Sequence, residues 1–195
     1  MKSQLTPLEQ PFPSEISRVF ERYPHRDGYI LRLFRVFANS VRFLTNKGVV
    51  NLLDKDSPLS LIEREIVILR VCANNDCEYE LGVHVAVFAK AAGLTQEQVA
   101  ASRTGNHTSD CWSVDESLLI EVVDEICRYG KIQDGTYERF QEQWTVEQQL
   151  EILALCGNYH TISFVANTSR IPGESFAAKF PHGRVRGCLL ATAES

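Results

Sequence analysis

Apolar residues recur at intervals of three and four along nearly the whole chain, and sustained alternation of period two is almost absent. That pattern predicts an all-α protein. A first helix is expected over 14–23 and a second over 29–44, where Ile30, Leu33, Phe34, Phe37, Val41 and Leu44 form one stripe. Ser60-Leu61-Ile62-Glu63 has the form of a capping box and opens a third helix over 61–73. A fourth runs over 77–92 and stops at Gly93, which suits the left-handed residue after a helix. Thr95 to Gln98 and Thr145 to Gln148 repeat the capping-box pattern, the latter opening a last long helix that ends near Thr168, before Pro172. Between them, 103–113 lacks periodicity and reads as a loop, 115–129 as a helix stopped by Gly130, and 136–144 as a shorter helix. There is no internal repeat.

At 195 residues the chain has the length of one domain with a substantial core. Twenty basic against 25 acidic side chains leave a net charge of −5, so no attractive field is offered to a phosphate backbone and nucleic acid is excluded as a main partner. No apolar run reaches the roughly 18 residues of a membrane span, and no membrane partner is expected. The first residues lack the roughly 7–15 apolar positions of a secretory signal, so a cytoplasmic location is expected. Cys72, Cys77, Cys111, Cys127, Cys156 and Cys188 are accordingly expected to stay reduced, most of them as small core residues. With no Cys-x-x-Cys, no His-x-x-x-His, and His25, His107, His160 and His182 scattered, neither a metal nor any other cofactor is expected. Beyond Gly173 the chain reads as a tail, mobile or laid over a partner subunit. Its Lys179, Arg184 and Arg186 could meet an anion, but solvated tail is the simpler reading and they are assigned no site.

The segment from Glu65 to His84 carries the most chemistry. Leu61, Glu65, Ile68 and Cys72 fall at i, i+4, i+7 and i+11, which places a carboxylate within a stripe facing the core, where it needs a partner. Across a tight polar turn, Cys77, Glu80 and His84 fall at i, i+3 and i+7 and line one face of the next helix. Cys77 lies near that helix's N-terminus, where the dipole favours a thiolate. A carboxylate in apolar surroundings tends to hold its proton, and an imidazole beside it can pass one near neutral pH. Glu65, Glu80 and His84 are therefore a candidate proton-transfer group with Cys77 as a candidate thiol. The plainer alternative makes His84 a satisfied core histidine, Glu80 a locally paired helix residue and Cys77 packing. Tyr159-His160 on the last helix could reach a pocket, although a histidine there is more often structural, and Trp112 and Trp144 read as packing.

The wording Arg64-Glu65-Ile66-Val67-Ile68-Leu69, then Cys77-Glu78-Tyr79-Glu80 with His84, then Ala92-Gly93-Leu94-Thr95, resembles the carboxymuconolactone decarboxylase family, which includes the alkylhydroperoxidase D type. Asn158-Tyr159-His160 and Ala166-Asn167 resemble its C-terminal part. The resemblance implies a helical bundle of the alkylhydroperoxidase D-like type. It divides the chain into an N-terminal helical extension packed on the core (1–54), a carboxymuconolactone decarboxylase-like domain (55–172) and a C-terminal tail (173–195). It also implies a homo-oligomer acting on a small-molecule substrate; the apolar stretch 150–164 of the last helix is a candidate interface, and core burial within one subunit explains it equally well.

In the peroxidase branch of that family, a glutamate, a Cys-x-x-Cys pair and a histidine form a proton relay to a reactive thiol. Glu65, Cys77 and His84 match, but Glu80 stands where the second cysteine would be. The decarboxylase branch, which loses carbon dioxide from a carboxylated lactone without a cofactor, needs a general acid and a clamp for the carboxylate. The resemblance makes His84 the acid or base, Glu65 its orienting partner and Glu80 a tuning group. Arg70 is a speculative clamp, with an exposed helix arginine as the alternative. Three functions follow as expectations: a cofactor-free lyase working through His84 and Glu65, a peroxide-reducing antioxidant protein using Cys77, and a non-catalytic helical oligomer.

Overall fold

A computed structural model of the protein describes residues 6–45 and 57–180. Cys188, Arg184 and Arg186 lie outside the described residues.

The chain opens with α1 (Ser14–Phe20) and a two-stranded antiparallel hairpin, β1 (His25–Arg26) and β2 (Tyr29–Ile30), pairing His25 with Ile30 and Arg26 with Tyr29. The expected single helix over 29–44 is therefore corrected to a strand, then α2 (Arg32–Phe37), then α3 (Val41–Leu44). Two local causes account for the break. Asp27 and Gly28 hold φ of 52° and 78°, the two positive values that a tight hairpin turn of the I′ kind requires. Asn39 ends α2 by turning its side-chain amide onto the carbonyls of Val36 (2.9 Å) and Thr6 (2.7 Å). The apolar stripe survives: Ile30, Leu33, Phe37 and Leu44 are all buried.

The centre of the molecule is α4 (Leu61–Asn74), begun by the expected capping box of Ser60 and Glu63. Every residue from Arg64 to Ala73 is buried, because α4 is packed on several sides. After a reversal in which Asp76 adopts φ 55°, α5 (Glu78–His84) passes into a π-helical turn (Val85–Ala89) and then α6 (Lys90–Ala92), closed by Gly93 at φ 79°. Then follow α7 (Gln96–Thr104), α8 (Val114–Tyr129), α9 (Asp134–Gln143) and α10 (Val146–Ser169). The Thr95 and Thr145 capping boxes form as read from sequence, and Ser113 with Glu116 adds one that was not. Around α4 pack α8, α10, α5 and α7. Among the described residues no helix is long and apolar enough to cross a membrane.

Two expectations about basic and tail residues are overturned. Arg70 is neither exposed nor open to a ligand: it is buried, its Nε and Nη2 donate to Asp124 at 2.6 and 2.7 Å, and its Nη1 donates to the carbonyls of Ser102 and Gly105. The stretch 173–180 is not a loose tail but a strap over α5 within the same chain. Buried Glu174 accepts from the Tyr29 hydroxyl (2.6 Å), the Arg32 amide (2.9 Å) and the Tyr79 hydroxyl (2.6 Å), so one carboxylate joins the hairpin, α2 and α5. Further along, the Ala178 amide donates to Gly82 O, the Phe180 amide donates to Glu78, and the Arg103 guanidinium lies 3.9 Å over the Phe180 ring. Lys179 on this strap is exposed.

Candidate active site

Helices α4, α5 and α10 bring the candidate residues together. His84, the last residue of α5, is buried and its Nδ1 lies 2.9 Å from Glu65 Oε2 on α4. Its Nε2 lies 3.2 Å from the Tyr159 hydroxyl of α10 and 3.4 Å from Glu80 Oε1, one turn earlier on α5. The Glu80 Oε2 atom is buried with no hydrogen-bond partner among the described residues. The π-helical turn that follows His84 holds Phe88, whose ring centroid is 5.1 Å from the imidazole, while the Tyr159 ring meets it edge-on at 5.2 Å.

Burial disfavours a charged imidazole, but the charge of Glu65, its hydrogen bond and the contact with Glu80 outweigh that penalty and push the His84 pKa up to about 10. At neutral pH the site thus holds an imidazolium between two carboxylates. Its Nδ1–H donates to Glu65, and its Nε2–H is shared between Glu80 and the Tyr159 oxygen. Burial and the charges of Glu80 and Glu65 raise the Tyr159 phenol well above its usual range, so it stays protonated.

This group opens on a cavity of about 380 Å³ lined by Pro24, Leu59, Leu61, Ile68 and Phe88 on the apolar side and Ser57, Arg64, Glu65, His84 and Tyr159 on the polar side. A larger open depression of about 600 Å³, lined by His107, Asp110, Asp115, Arg139 and Glu142 among others, holds no comparable imidazole–carboxylate pair. Cys77 does not line the cavity. It is fully buried at the N-cap of α5, and burial pushes its thiol up to about 11 against the pull of the Glu80 backbone amide. The thiolate expected from the helix terminus is therefore corrected: desolvation outweighs the dipole. Cys72, also fully buried, is raised well above the usual thiol range, again by burial first.

Sequence reasoning did not bring Arg64 or Phe88 to the site, and gave Tyr159 only as a residue that could reach a pocket. Tyr159 did carry a signal, since it falls on the buried stripe Ile152, Leu155, Cys156, Tyr159, Ile162 of α10. His160 faces elsewhere, with its Nε2 3.2 Å from Cys127 Sγ on α8. Among the described residues no cluster of three or more His, Cys, Asp or Glu could hold a metal ion.

Residues 44–114, the stretch that supplies Arg64, Glu65, Cys77, Glu80 and His84, match the family model of the Carboxymuconolactone decarboxylase family. That stretch is carboxymuconolactone decarboxylase-like. Tyr159 and the strap lie beyond the matched part. Among solved structures, an uncharacterized peroxidase-related protein from Silicibacter sp. TM1040 is similar at a TM-score of 0.73 and 18% identity, covering 89% of this chain and 94% of that one. Debrominase Bmp8 is similar at a TM-score of 0.68 and 14% identity, covering 90% and 94%. A cysteine-to-alanine variant of that debrominase, in complex with 2,3,4-tribromopyrrole, is similar at 0.68 and 13%, again covering 90% and 94%. At these identities the likeness is one of fold, the alkylhydroperoxidase D-like helical bundle. No curated protein matches the sequence.

Proposed function

We propose that the protein is a cofactor-free enzyme resembling carboxymuconolactone decarboxylase, transferring a proton through His84 and Glu65 to a small carboxylated or lactone substrate. The observation that carries this reading is the buried imidazolium, 2.9 Å from Glu65 and facing a half-open, largely apolar cavity. Loss of carbon dioxide leaves an electron pair on carbon, which a neighbouring carbonyl delocalises and which must then take a proton. A histidine whose pKa is raised to about 10 arrives at neutral pH already carrying one. Glu65 holds Nδ1 and fixes the ring, so the mobile proton is the one on Nε2, beside the Tyr159 hydroxyl. As that proton leaves, the Tyr159 hydroxyl is within reach to donate its own O–H to the bared Nε2.

Peroxide reduction by Cys77 fits less well. Such chemistry needs an accessible thiolate and a resolving thiol. Cys77 is fully buried, its thiol is pushed up to about 11, and the resolving position holds Glu80.

The test is carbon dioxide release from carboxylated five-membered lactones in deuterated water, with wild type and His84→Gln compared. Wild type is expected to turn over with one deuterium placed at the vacated carbon, and His84→Gln to lose at least a hundredfold in kcat, in the range of general acid catalysis. Consumption of an organic hydroperoxide with a dithiol reductant is the counter-test. Turnover that disappears in Cys77→Ser would overturn the proposal in favour of the antioxidant reading.

A further inference from the structure

The segment from α4 to α7 buries three arginines, Arg64, Arg70 and Arg103, and their surroundings differ in one respect. A guanidinium carries five N–H donors, and burying it is tolerable only where most of them are met. Arg70 has four hydrogen bonds, to both oxygens of Asp124 and to two backbone carbonyls. Arg103 pairs with Asp76 at 2.5 Å, donates to Ala73 O at 3.0 Å and stacks on Phe180, and its unpartnered Nε is sealed in the fold, away from the cavity. Arg64 has one contact among the described residues, from Nη1 to Glu151 Oε1 at 3.4 Å. That same oxygen also accepts from the Ser57 hydroxyl at 3.1 Å. Its side chain is only 9% exposed, and it is the arginine that lines the cavity.

From this contrast we infer that Arg64 is the anion-binding residue of the cavity, and that the site takes a small ligand with one carboxylate on Arg64 and an apolar body against Leu59, Leu61, Ile68 and Phe88. Arg64 replaces Arg70 as the clamp. The inference rests on the reading of this cavity as the reaction site and adds the binding residue and the charge class of the ligand. A fork of N–H donors matches a carboxylate in a bidentate way, which a lone 3.4 Å contact to Glu151 does not exhaust. The rest of the site argues for a single charge. Glu65 and Glu80 already flank His84, so a second anionic group at that end would face two carboxylates. The remaining wall is Pro24, Leu59, Leu61, Ile68 and Phe88 with the neutral Ser57 and Tyr159 hydroxyls, which offers a second charge no cation.

The experiment is calorimetric titration of the full chain with benzoate, its neutral isostere benzamide, and the dianion terephthalate. Wild type is expected to bind benzoate at least tenfold tighter than benzamide or terephthalate. Arg64→Gln should bring benzoate down to the level of benzamide. Glu151→Gln removes the carboxylate that competes for Arg64 and should tighten benzoate at least threefold without changing benzamide, an effect of opposite sign that a merely structural Arg64 would not produce. Melting temperatures of both variants accompany the titrations. If wild type does not prefer benzoate, if an Arg64→Gln protein that still folds binds benzoate as wild type does, or if Glu151→Gln leaves benzoate unchanged, the inference is overturned. Its failure is separable from that of the proposed reaction. Benzoate held through Arg64 with no lactone turned over would sink only the reaction, whereas lactone turnover with KM unchanged by Arg64→Gln would sink only the clamp.

Discussion

Replacing Glu65 by glutamine should flatten the pH dependence of stability. In the folded chain burial works against the His84 proton, yet the Glu65 charge and hydrogen bond, with help from Glu80, raise its pKa from 6.5 to about 10. A group whose pKa is raised on folding contributes stability in full below its unfolded value and loses it as pH climbs to the folded one. For His84 that window runs from about pH 6.5 to about pH 10. At about 1.4 kcal/mol per pH unit the whole effect approaches roughly 5 kcal/mol, and Glu65, the larger of the two carboxylate contributions, accounts for about 2–3 kcal/mol of it. The isosteric amide keeps the packing and still accepts from Nδ1–H, but supplies no charge. Desolvating the carboxylate adds an offset that is constant while Glu65 stays ionised, so the slope carries the test. Urea denaturation of wild type and Glu65→Gln at pH 6.5, 7.5, 8.5 and 9.5 measures it, with other titrating groups cancelling in the difference. The advantage of wild type over the variant should shrink by about 2–3 kcal/mol across that range. In melting temperature this is about 4–12 °C for a chain of this size. Parallel stability curves would mean that His84 is neutral in the folded protein, and the argument for a resident acid would fall with it.

The same raised pKa sets the rate profile: kcat should hold from neutrality upward and fall as pH approaches 10, and Glu65→Gln should move that fall to lower pH by at least about one unit. Arg70→Met should destabilise by about 2–4 kcal/mol in urea unfolding, since it strands Asp124 and two carbonyls, with the partial exposure of Asp124 keeping the cost below that of a fully buried pair. Gly82→Ala would set a Cβ 2.3 Å from Ala178 O, so the strap must shift; we expect about 1–3 kcal/mol of lost stability and faster proteolytic cleavage within 173–180.

Much of the helical frame was legible because its signals are local. Ser60 with Glu63, Thr95 with Gln98 and Thr145 with Gln148 form their capping boxes within four residues, and Gly93 and Gly130 end helices at positive φ, whatever surrounds them. The misreading over 29–44 came from weighing the apolar stripe above the punctuation. Asp27-Gly28 is a hairpin signal and Asn39 a helix-ending one, and both overrode a periodicity that the packing nevertheless honours. The π-helical turn at Val85–Ala89 left no mark in the pattern, although Phe88, four residues after His84, falls beside it in an ordinary helix as well. Glu174 was passed over for a related reason. A lone glutamate after Pro172 and Gly173 looks like solvated tail until Tyr29, Arg32 and Tyr79, distant in sequence, converge on it.

The site itself was legible in proportion to how far each residue's burial could be inferred. Glu65 stood out as a carboxylate in a stripe meant for the core, and His84 was the nearest group able to answer it. Arg64 and Arg70 belong to the same argument, which stripe analysis stopped short of. From Arg64 to Ala73 α4 is buried on every side, so no position in that run is a solvent-facing one. A helix buried all round cannot carry an idle charge. Each of the three charged residues in that run must therefore be paired within the fold or kept for a ligand. Asp124 answers Arg70 with two bonds, His84 answers Glu65 with one, and Glu151 answers Arg64 only at 3.4 Å. The charge left least satisfied is also the one that faces the cavity, which is the arrangement expected when the missing partner comes from outside the chain.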